Sequence, residues 1–257
     1  MKIGVPTEIK NNEYRVGLTP GSVKALKAFN HDIFIQQGAG SAIGFLDSDY
    51  IESGAQILES AAEVFAASEL IVKVKEPMPS ELGYLNSSHT LFTYLHLAGD
   101  PKQAHALIKT GVTGIAYETV TSDSGALPLL APMSAIAGQL SIVVGSYHLL
   151  KQNKGRGTLI GSFGDLDPRV VTVIGAGVAG TEAIQKAIQN NAYVKIIDLS
   201  EKRLNALQAI FGSKNIEYIQ STEEAIADAL SVSDLVIGSV YVVGKQAPKV
   251  VSAEMLK

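Results

Sequence analysis

The chain has 257 residues, of which 46% are hydrophobic and 18% charged, and its formal net charge is −4. These values predict one large or two medium globular domains with enough apolar residues for a core. The acidic balance offers no basic surface for nucleic acid. The sequence contains no cysteine, which excludes disulfides and thiolate metal sites. Together with an N-terminus that lacks a signal-like apolar stretch, this predicts a cytoplasmic protein.

The first half of the chain alternates short apolar runs with helical patterns. Strands are predicted at residues 2–6, 32–36, 70–74, 90–93 and 114–116, and helices at residues 19–29, 47–53, 60–67 and 101–110. Such alternation is typical of a parallel sheet that is covered by helices on both faces. We therefore predict an α/β domain over residues 1–128.

Residues 129–150 form the one segment that is long and apolar enough to raise a membrane question. Polar residues such as Ser134, Gln139 and His148 interrupt it and would be costly in hydrocarbon. Proline is tolerated in the first turn of a helix, so Pro132 suits a helix start. The segment predicts a long buried helix, residues 133–152, that joins the first domain to a second one over residues 129–257.

The second domain carries the motif Gly175-Ala176-Gly177-Val178-Ala179-Gly180 between a predicted strand, 170–174, and a predicted helix, 180–189. Glycines there let backbone amides approach a pyrophosphate at a helix N-terminus. Asp198 ends the next strand, 193–197, where a carboxylate suits a ribose 2′-hydroxyl and repels a 2′-phosphate. Further helices, 201–211 and 222–229, and a strand, 235–238, follow. The pattern predicts NAD binding; the alternative is a glycine-rich turn in an ordinary βαβ unit.

Polar clusters follow the strands of the first domain, where open α/β sheets bind their ligands. Arg15 could bind a carboxylate with both arms of its guanidinium, or form a surface ion pair. Lys73 and Lys75 are predicted to share one face of a strand. A lysine there could serve a carbonyl or carboxylate substrate, or simply pair with Glu76. Another cluster, Tyr117-Glu118-Thr119-Val120, precedes the long helix.

Of the five histidines, only His96 directly follows a strongly apolar strand. Histidine exchanges protons near neutral pH, so His96 is a candidate acid–base residue, although lone histidines are more often structural. The sequence has no metal-ligand spacing such as His-x-x-x-His, and we predict no metal site. Ser134, in the first turn of the long helix, could bind a phosphate or cap the backbone.

Taken together, these clusters resemble the alanine dehydrogenase family, which includes the transhydrogenase α subunit, in order and spacing. The stretches that carry the resemblance are Gly4–Glu8, Lys10–Val16, Val72–Pro77, Leu95–Ala98, Ala116–Val120, Leu127–Ser134, Ile174–Gly177 and Ala247–Lys249. The resemblance implies two Rossmann-like parallel-sheet domains joined by a long helix. It also implies a hexamer that carries out NAD-dependent, reversible oxidative deamination of L-alanine to pyruvate and ammonia.

The resemblance also assigns the site residues. His96 would be the catalytic acid–base residue, while Arg15 and Lys75 would bind the substrate. Residues 1–128 would form the substrate domain and residues 129–257 the NAD domain. The expected cofactor contacts are Ser134, Gly175, Gly177, Gly180, Asp198 and Arg203.

Chains of that family normally continue past the position of Lys257. The second sheet is therefore expected to be incomplete and to lack a catalytic aspartate, so we expect NAD binding with little alanine oxidation by this chain alone. The alternatives are a non-catalytic NAD(H)-binding module, like the related transhydrogenase domain, and an inactive remnant. The presence of Arg15, Lys75 and His96 favours the enzyme, because a pure binding module does not need them.

Overall fold

The computed structural model describes residues 1–256. Contacts between Cα atoms divide the chain into two compact units, Met1–Leu127 and Pro128–Lys257. Each unit contains one sheet in which every strand pair is parallel. The predicted α/β class, with two Rossmann-like parallel sheets, is confirmed.

The first unit has the full doubly wound strand order, β3-β2-β1-β4-β5-β6. Its strands are β1 Lys2–Val5, β2 Asp32–Gln36, β3 Gln56–Leu58, β4 Leu70–Val72, β5 Thr90–Thr93 and β6 Thr113–Ala116. Its helices are α1 Pro20–Lys27, α2 Asp47–Glu52, α3 Ala61–Ala67 and α4 Pro101–Thr110. The winding direction reverses between β1 and β4, so the loops that leave these two strands diverge at their carboxyl ends.

Side-chain caps explain where three of these helices begin. Thr19 accepts a hydrogen bond from the Ser22 N–H at the start of α1, and Asp100 accepts one from the Gln103 N–H at the start of α4. Ser60 and Glu63 form a reciprocal capping box at α3. Such caps satisfy N–H groups that have no partner within the helix. The local sequence therefore fixes these boundaries to within a residue of the prediction.

The second unit has the strand order β10-β7-β8-β9. Its elements are α5 Ala131–Leu149, β7 Val170–Ile174, α6 Val178–Gln189, β8 Tyr193–Asp198, α7 Glu201–Phe211, β9 Ile216–Gln220, α8 Glu223–Val232 and β10 Leu235–Gly238. Val171, Val173, Val194 and Ile196 of the two central strands are fully buried. Near-continuous apolar runs of this kind are typical of strands covered on both faces.

Three strands differ from the predicted ones by more than one residue. The sequence pattern did not predict β3 and β9; β3 is a three-residue edge strand, which is too short to show a periodicity. Strand β4 ends at Val72, two residues earlier than expected. The reason is that the Val74 N–H donates to the Glu8 carboxylate, at 2.6 Å, instead of continuing the ladder.

The long helix α5 is not buried all round, as the sequence had suggested. It packs one face against α6 and buries Gly138, Ile142 and Leu149. Its opposite face is equally apolar and leaves side chains about half exposed, namely Ile136, Leu140, Val143, Val144 and Tyr147. Apolar content alone could not distinguish these two faces. No helix within residues 1–256 is long and apolar enough to span a membrane.

Gly138 allows the close approach of α5 to α6. A Cβ atom added there would lie 2.1 Å from the Ala179 carbonyl oxygen and 2.8 Å from the Glu182 Cβ. One residue further on, the Gln139 amide donates to the Glu182 carboxylate at 2.7 Å. The backbones of the two helices therefore meet where only glycine fits.

Gly138→Ala should destabilise the second unit although alanine favours helix. The helix propensity gain is about 0.8–1.0 kcal/mol, whereas overpacking of a tight contact costs about 1–3 kcal/mol. We expect a net loss in the free energy of unfolding, measured by urea denaturation. Ala137→Ser, at an exposed neighbour on the same helix, should stay within about 0.5 kcal/mol of the original chain. An equal or higher stability of Gly138→Ala would contradict the packing described.

Candidate active site and glycine-rich loop

The charged side chains of the first unit collect on the loops that leave β1, β4, β5 and β6. Arg15 lies on the loop after β1, Lys75 after β4 and His96 after β5. Glu118 follows β6. These strands are neighbours in the sheet, with the winding reversal between β1 and β4. The cluster therefore lies where open α/β sheets form their binding crevices.

His96 and Lys75 are in direct contact, with 3.3 Å between His96 Nε2 and Lys75 Nζ. A lysine ammonium can only donate, so Nε2 is the acceptor and the contact requires a neutral imidazole. The pKa of His96 is lowered, first by partial desolvation and then by the Lys75 charge. An imidazole held neutral in this way can accept a proton from a bound molecule.

Glu118 fixes the backbone that carries His96. Its buried carboxylate accepts hydrogen bonds from the Leu95 N–H, at 3.2 Å, and from the His96 N–H, at 2.6 Å. His96 itself has φ +52°, a left-handed conformation that is uncommon for residues other than glycine. The Tyr94 ring stacks on the imidazole, with 6.0 Å between ring centroids. The sequence motif containing Glu118 gave no sign of this role, which depends on β5 and β6 being neighbours.

Arg15 forms the ion pair that the sequence left open as an alternative. Its Nε donates to Glu13 Oε1 at 2.8 Å and its Nη2 to Oε2 at 2.6 Å. The hydrogen bond with Arg15 lowers the pKa of Glu13, and the pKa of Arg15 is raised by the same contact. Both residues line a pocket of about 340 Å³ between residues 7–15 and 38–42. The Arg15 guanidinium thus already binds one carboxylate in a bidentate manner.

The strand pattern predicted that Lys73 and Lys75 share one face of a strand. In the structure they have different surroundings. Both lie beyond the end of β4. Lys73 is fully buried and bound to Glu8 and Glu81. Lys75 is partly exposed and lies 3.6 Å from Glu76, which also pairs with Lys10. The predicted Lys75–Glu76 ion pair is therefore present alongside the contact with His96.

The glycine-rich loop of the second unit uses its glycines for three different reasons. Gly175 has φ +94°, which side chains rarely adopt. A Cβ atom on Gly180 would lie 1.8 Å from the Gly175 carbonyl oxygen, so only glycine fits. A Cβ atom on Gly177, by contrast, would meet no atom within 4 Å. Gly177 therefore leaves open space in front of the first turn of α6, where backbone N–H groups can bind a phosphate.

Asp198 and Arg203, two predicted cofactor contacts, hold this loop from both sides of Ala176. The Asp198 carboxylate accepts from the Ala176 N–H at 2.7 Å and from the Ser200 N–H at 2.8 Å. Arg203 Nε donates to the Ala176 carbonyl at 2.8 Å, and its Nη2 donates to the Thr181 hydroxyl at 2.7 Å. The loop conformation is thus preorganised by the residues at the end of β8 and the start of α7.

Ser134 lies at the end of the first turn of α5. The helix begins at Ala131 after Leu130, which has no capping side chain. The Ser134 N–H bonds to the Leu130 carbonyl at 3.0 Å and so continues the helix. The structure therefore places Ser134 beyond the position of a helix cap, and its expected cofactor contact stays a prediction.

The fold and the two sites define a two-unit α/β protein with a dinucleotide-type glycine loop and a histidine–lysine crevice. The model of "Alanine dehydrogenase/PNT, N-terminal domain" matches residues 4–137, and that of the corresponding C-terminal domain matches residues 141–257. The chain belongs to this alanine dehydrogenase/PNT family, which confirms the family predicted from the motifs.

Close relatives are named alanine dehydrogenases. The chain is 45% identical over 257 residues to the alanine dehydrogenase of Methanococcus maripaludis. This match covers 100% of the present chain and 69% of the relative. The chain is 46% identical over 252 residues to that of Mycolicibacterium smegmatis, covering 98% of this chain and 68% of the relative. A solved L-alanine dehydrogenase matches with a TM-score of 0.88 and 44% identity, over 100% of this chain and 70% of that one.

A transhydrogenase structure from Sinorhizobium meliloti shares the fold, with a TM-score of 0.78 and 24% identity. The match covers 100% of this chain and 74% of that one. At this level of identity the likeness describes the fold and carries no argument about activity.

Replacing Lys75 by methionine should raise the pKa of His96. The Lys75 charge disfavours the imidazolium, and methionine removes the charge while keeping an unbranched side chain. The His96 ring signal, followed by NMR against pH, measures the shift. Lys109→Met, at an exposed position on α4, removes the same charge and should leave the His96 titration unchanged. A lower or unchanged pKa in Lys75→Met would refute the contact as described.

Proposed function

We propose that this chain belongs to an NAD-dependent enzyme that converts L-alanine reversibly to pyruvate and ammonia. The observation that carries the proposal is the contact between Lys75 and a neutral His96, in the crevice next to Arg15. An amino acid oxidation requires a carboxylate anchor, a group that polarises the developing carbonyl, and a base. The names of the relatives, reported above, support alanine as the amino acid.

Arg15 is proposed to bind the substrate carboxylate. Its bidentate pairing with Glu13 supports this role, because the fork geometry is the one a substrate carboxylate needs. Lys75 is a compact donor on the neighbouring loop and is proposed to bind the carbonyl oxygen of pyruvate. The substrate carboxylate would then replace Glu13 as the partner of the Arg15 guanidinium.

His96 is proposed to exchange protons with the substrate. In its neutral form it can take the proton released when water adds to the iminium ion of the oxidised substrate, and it can return a proton in the reverse reaction. Lys75, at 3.3 Å, favours the neutral form before the proton is taken up. When bound, NAD supplies hydride chemistry, while the protein supplies orientation, charge and proton transfer.

The glycine-rich loop fits NAD on the geometry of this structure. Gly177 leaves open space before α6, and the N–H groups there suit a pyrophosphate. The Asp198 carboxylate uses one position on each oxygen for backbone N–H groups. Each oxygen still has a lone pair for a ribose hydroxyl, so Asp198 supports NAD over NADP. Ser134, Gly175, Gly180 and Arg203 complete the proposed cofactor contacts.

Gly177→Ala should fold normally and bind NADH at least about tenfold more weakly. The new methyl group meets no protein atom within 4 Å, and the backbone φ of −67° suits alanine. It would instead occupy the space through which the pyrophosphate approaches the backbone. NADH fluorescence titration measures the affinity, and circular dichroism checks the fold.

Gly83→Ala is the matched control, because its added Cβ also meets no atom within 4 Å. It should leave NADH affinity unchanged. A parallel titration with NADPH should give weaker binding than NADH. Normal NADH binding by Gly177→Ala would place the pyrophosphate elsewhere, and tighter NADPH binding would contradict the role of Asp198.

Arg15→Ala should weaken pyruvate binding by about tenfold to a hundredfold, as expected for a hydrogen-bonded charge contact of about 1.5–3 kcal/mol. The pyruvate affinity of Arg15→Lys should lie between those of the original chain and Arg15→Ala, since lysine keeps the positive charge but cannot bind a carboxylate in a bidentate manner. Calorimetric titration with pyruvate in the presence of NADH measures the affinity. Lys24→Ala, which removes an exposed positive charge from α1, should bind pyruvate normally.

Equal affinities of Arg15→Ala and Lys24→Ala would place the substrate carboxylate away from Arg15. Binding of NADH without any binding of pyruvate or alanine by the unaltered chain would instead favour the non-catalytic NAD(H)-binding module. The two titrations therefore separate an error in the role of Arg15 from an error in the proposed activity.

We also propose a hexameric assembly and a cytoplasmic location, both following the family resemblance and the sequence. The assembly is supported by the exposed apolar face of α5, where Ile136, Leu140, Val143 and Tyr147 recur at intervals of four, three and four residues. This spacing is typical of helix faces that pack against another helix. The location is supported by the absence of cysteine from the sequence.

A further inference from the structure

Lys73 is a fully buried lysine held between two glutamates. Its Nζ lies 2.7 Å from Glu81 Oε1 and 3.4 Å from Glu8 Oε2. The side chains of both glutamates are only 3% exposed. One carboxylate would suffice to neutralise one buried ammonium. The second carboxylate therefore calls for a separate explanation.

The other oxygen of Glu8 supplies that explanation. Glu8 Oε1 accepts a hydrogen bond from the Val74 N–H at 2.6 Å and approaches the Lys75 N–H at 3.3 Å. Glu8 comes from the loop after β1, whereas residues 73–75 follow β4. The carboxylate therefore ties together the two loops that diverge at the winding reversal.

Glu81 is bound differently. Its second oxygen accepts a hydrogen bond from the Met78 N–H at 2.8 Å, on its own loop. Neither of its oxygens bonds to the backbone of Val74 or Lys75 among the hydrogen bonds of the described residues. The two glutamates thus share Lys73 as a partner but differ in what else they hold.

We propose that Glu8, fixed in orientation by Lys73, is a positioning residue that holds the backbone of Lys75 so that its Nζ stays within reach of His96 Nε2. The consequence for substrate binding rests on the proposed function above. The consequence for the geometry of Lys75 and His96 does not rest on the proposed function. Glu8 itself need not touch the substrate.

Glu8→Gln and Glu81→Gln form a matched pair that tests this role. Each variant keeps the shape of the side chain and leaves one carboxylate to neutralise Lys73. A residue that only neutralises Lys73 would give the same result at either position. Under the proposal, Glu8→Gln weakens pyruvate binding at least about fivefold in the NADH complex, measured by calorimetry, while Glu81→Gln stays within about twofold.

The titration of His96 provides a readout that does not depend on substrate. The charged groups that act on His96 are Lys75 and Glu76 after β4, Lys10 after β1, and Glu118 after β6. If Lys75 moves away, its charge no longer lowers the pKa of His96, so the pKa should rise in Glu8→Gln as in Lys75→Met. Loss of the Glu8 negative charge with Lys75 still in place would not raise the His96 pKa, because removing a nearby negative charge never favours the imidazolium. The sign of the shift therefore distinguishes displacement from a simple charge effect.

A rise in the His96 pKa in Glu8→Gln and none in Glu81→Gln supports the proposal. Equal shifts in both variants, no shift in either, or a fall in Glu8→Gln overturns it. If Glu8→Gln does not fold, Glu8→Asp tests the same contact, because it keeps a charge for Lys73 but is one methylene too short for the backbone; the His96 pKa should again rise, and an unchanged value overturns the proposal. If the unaltered chain binds no pyruvate while the His96 shift is present, the proposed function fails and the positioning role stands.

Discussion

The reversal of winding between β1 and β4 is the constraint on which the first unit depends. Parallel strands end at one edge of a sheet, and the loops from these two strands must part there. The backbone cannot bridge the resulting crevice, so side chains do. Glu8 reaches from the β1 loop to the N–H groups after β4, and Lys10 reaches from the β1 loop to Glu76. The crevice is therefore stabilised by buried and half-buried charges.

These charges also set the protonation of the site. Two cations act on His96, Lys75 and Lys10, and Glu76 pairs with both of them. The pKa of Glu13 is lowered first by its hydrogen bond with Arg15, and the Lys75 charge lowers it further. The cluster is thus nearly balanced without a ligand, and an arriving carboxylate competes with an internal one. Partial desolvation and the Lys75 charge together favour a neutral His96, because an imidazolium there would lose solvation and be repelled.

Much of this could be predicted from local sequence. Strand ends followed by charged residues indicated Arg15, Lys75 and His96, and the glycine spacing indicated the loop before α6. Such signals depend on neighbours in sequence, as do the side-chain caps that start the helices of the first unit. Glu8 and Glu118 escaped prediction because their partners lie 66 and 22 residues away. Their roles follow only from which strands lie side by side, and the different surroundings of Lys73 and Lys75 follow from the same contacts.

The glycine-rich loop of the second unit was easier to predict from sequence than the crevice of the first unit. The winding of the second unit also reverses, between β7 and β10, but there the opening is built by one short stretch of chain. Gly175 is required by its positive φ and Gly180 by the packing of the loop on itself, whereas Gly177 leaves the space in front of the loop open. Asp198 has two roles under the proposed function, since the carboxylate proposed to bind a ribose also accepts a hydrogen bond from the Ala176 N–H. A neutral residue at position 198 would therefore loosen the loop as well as relax cofactor choice. If Asp198 has the proposed role, cofactor preference and preorganisation of the loop are coupled in one side chain, and neither can be altered there without changing the other.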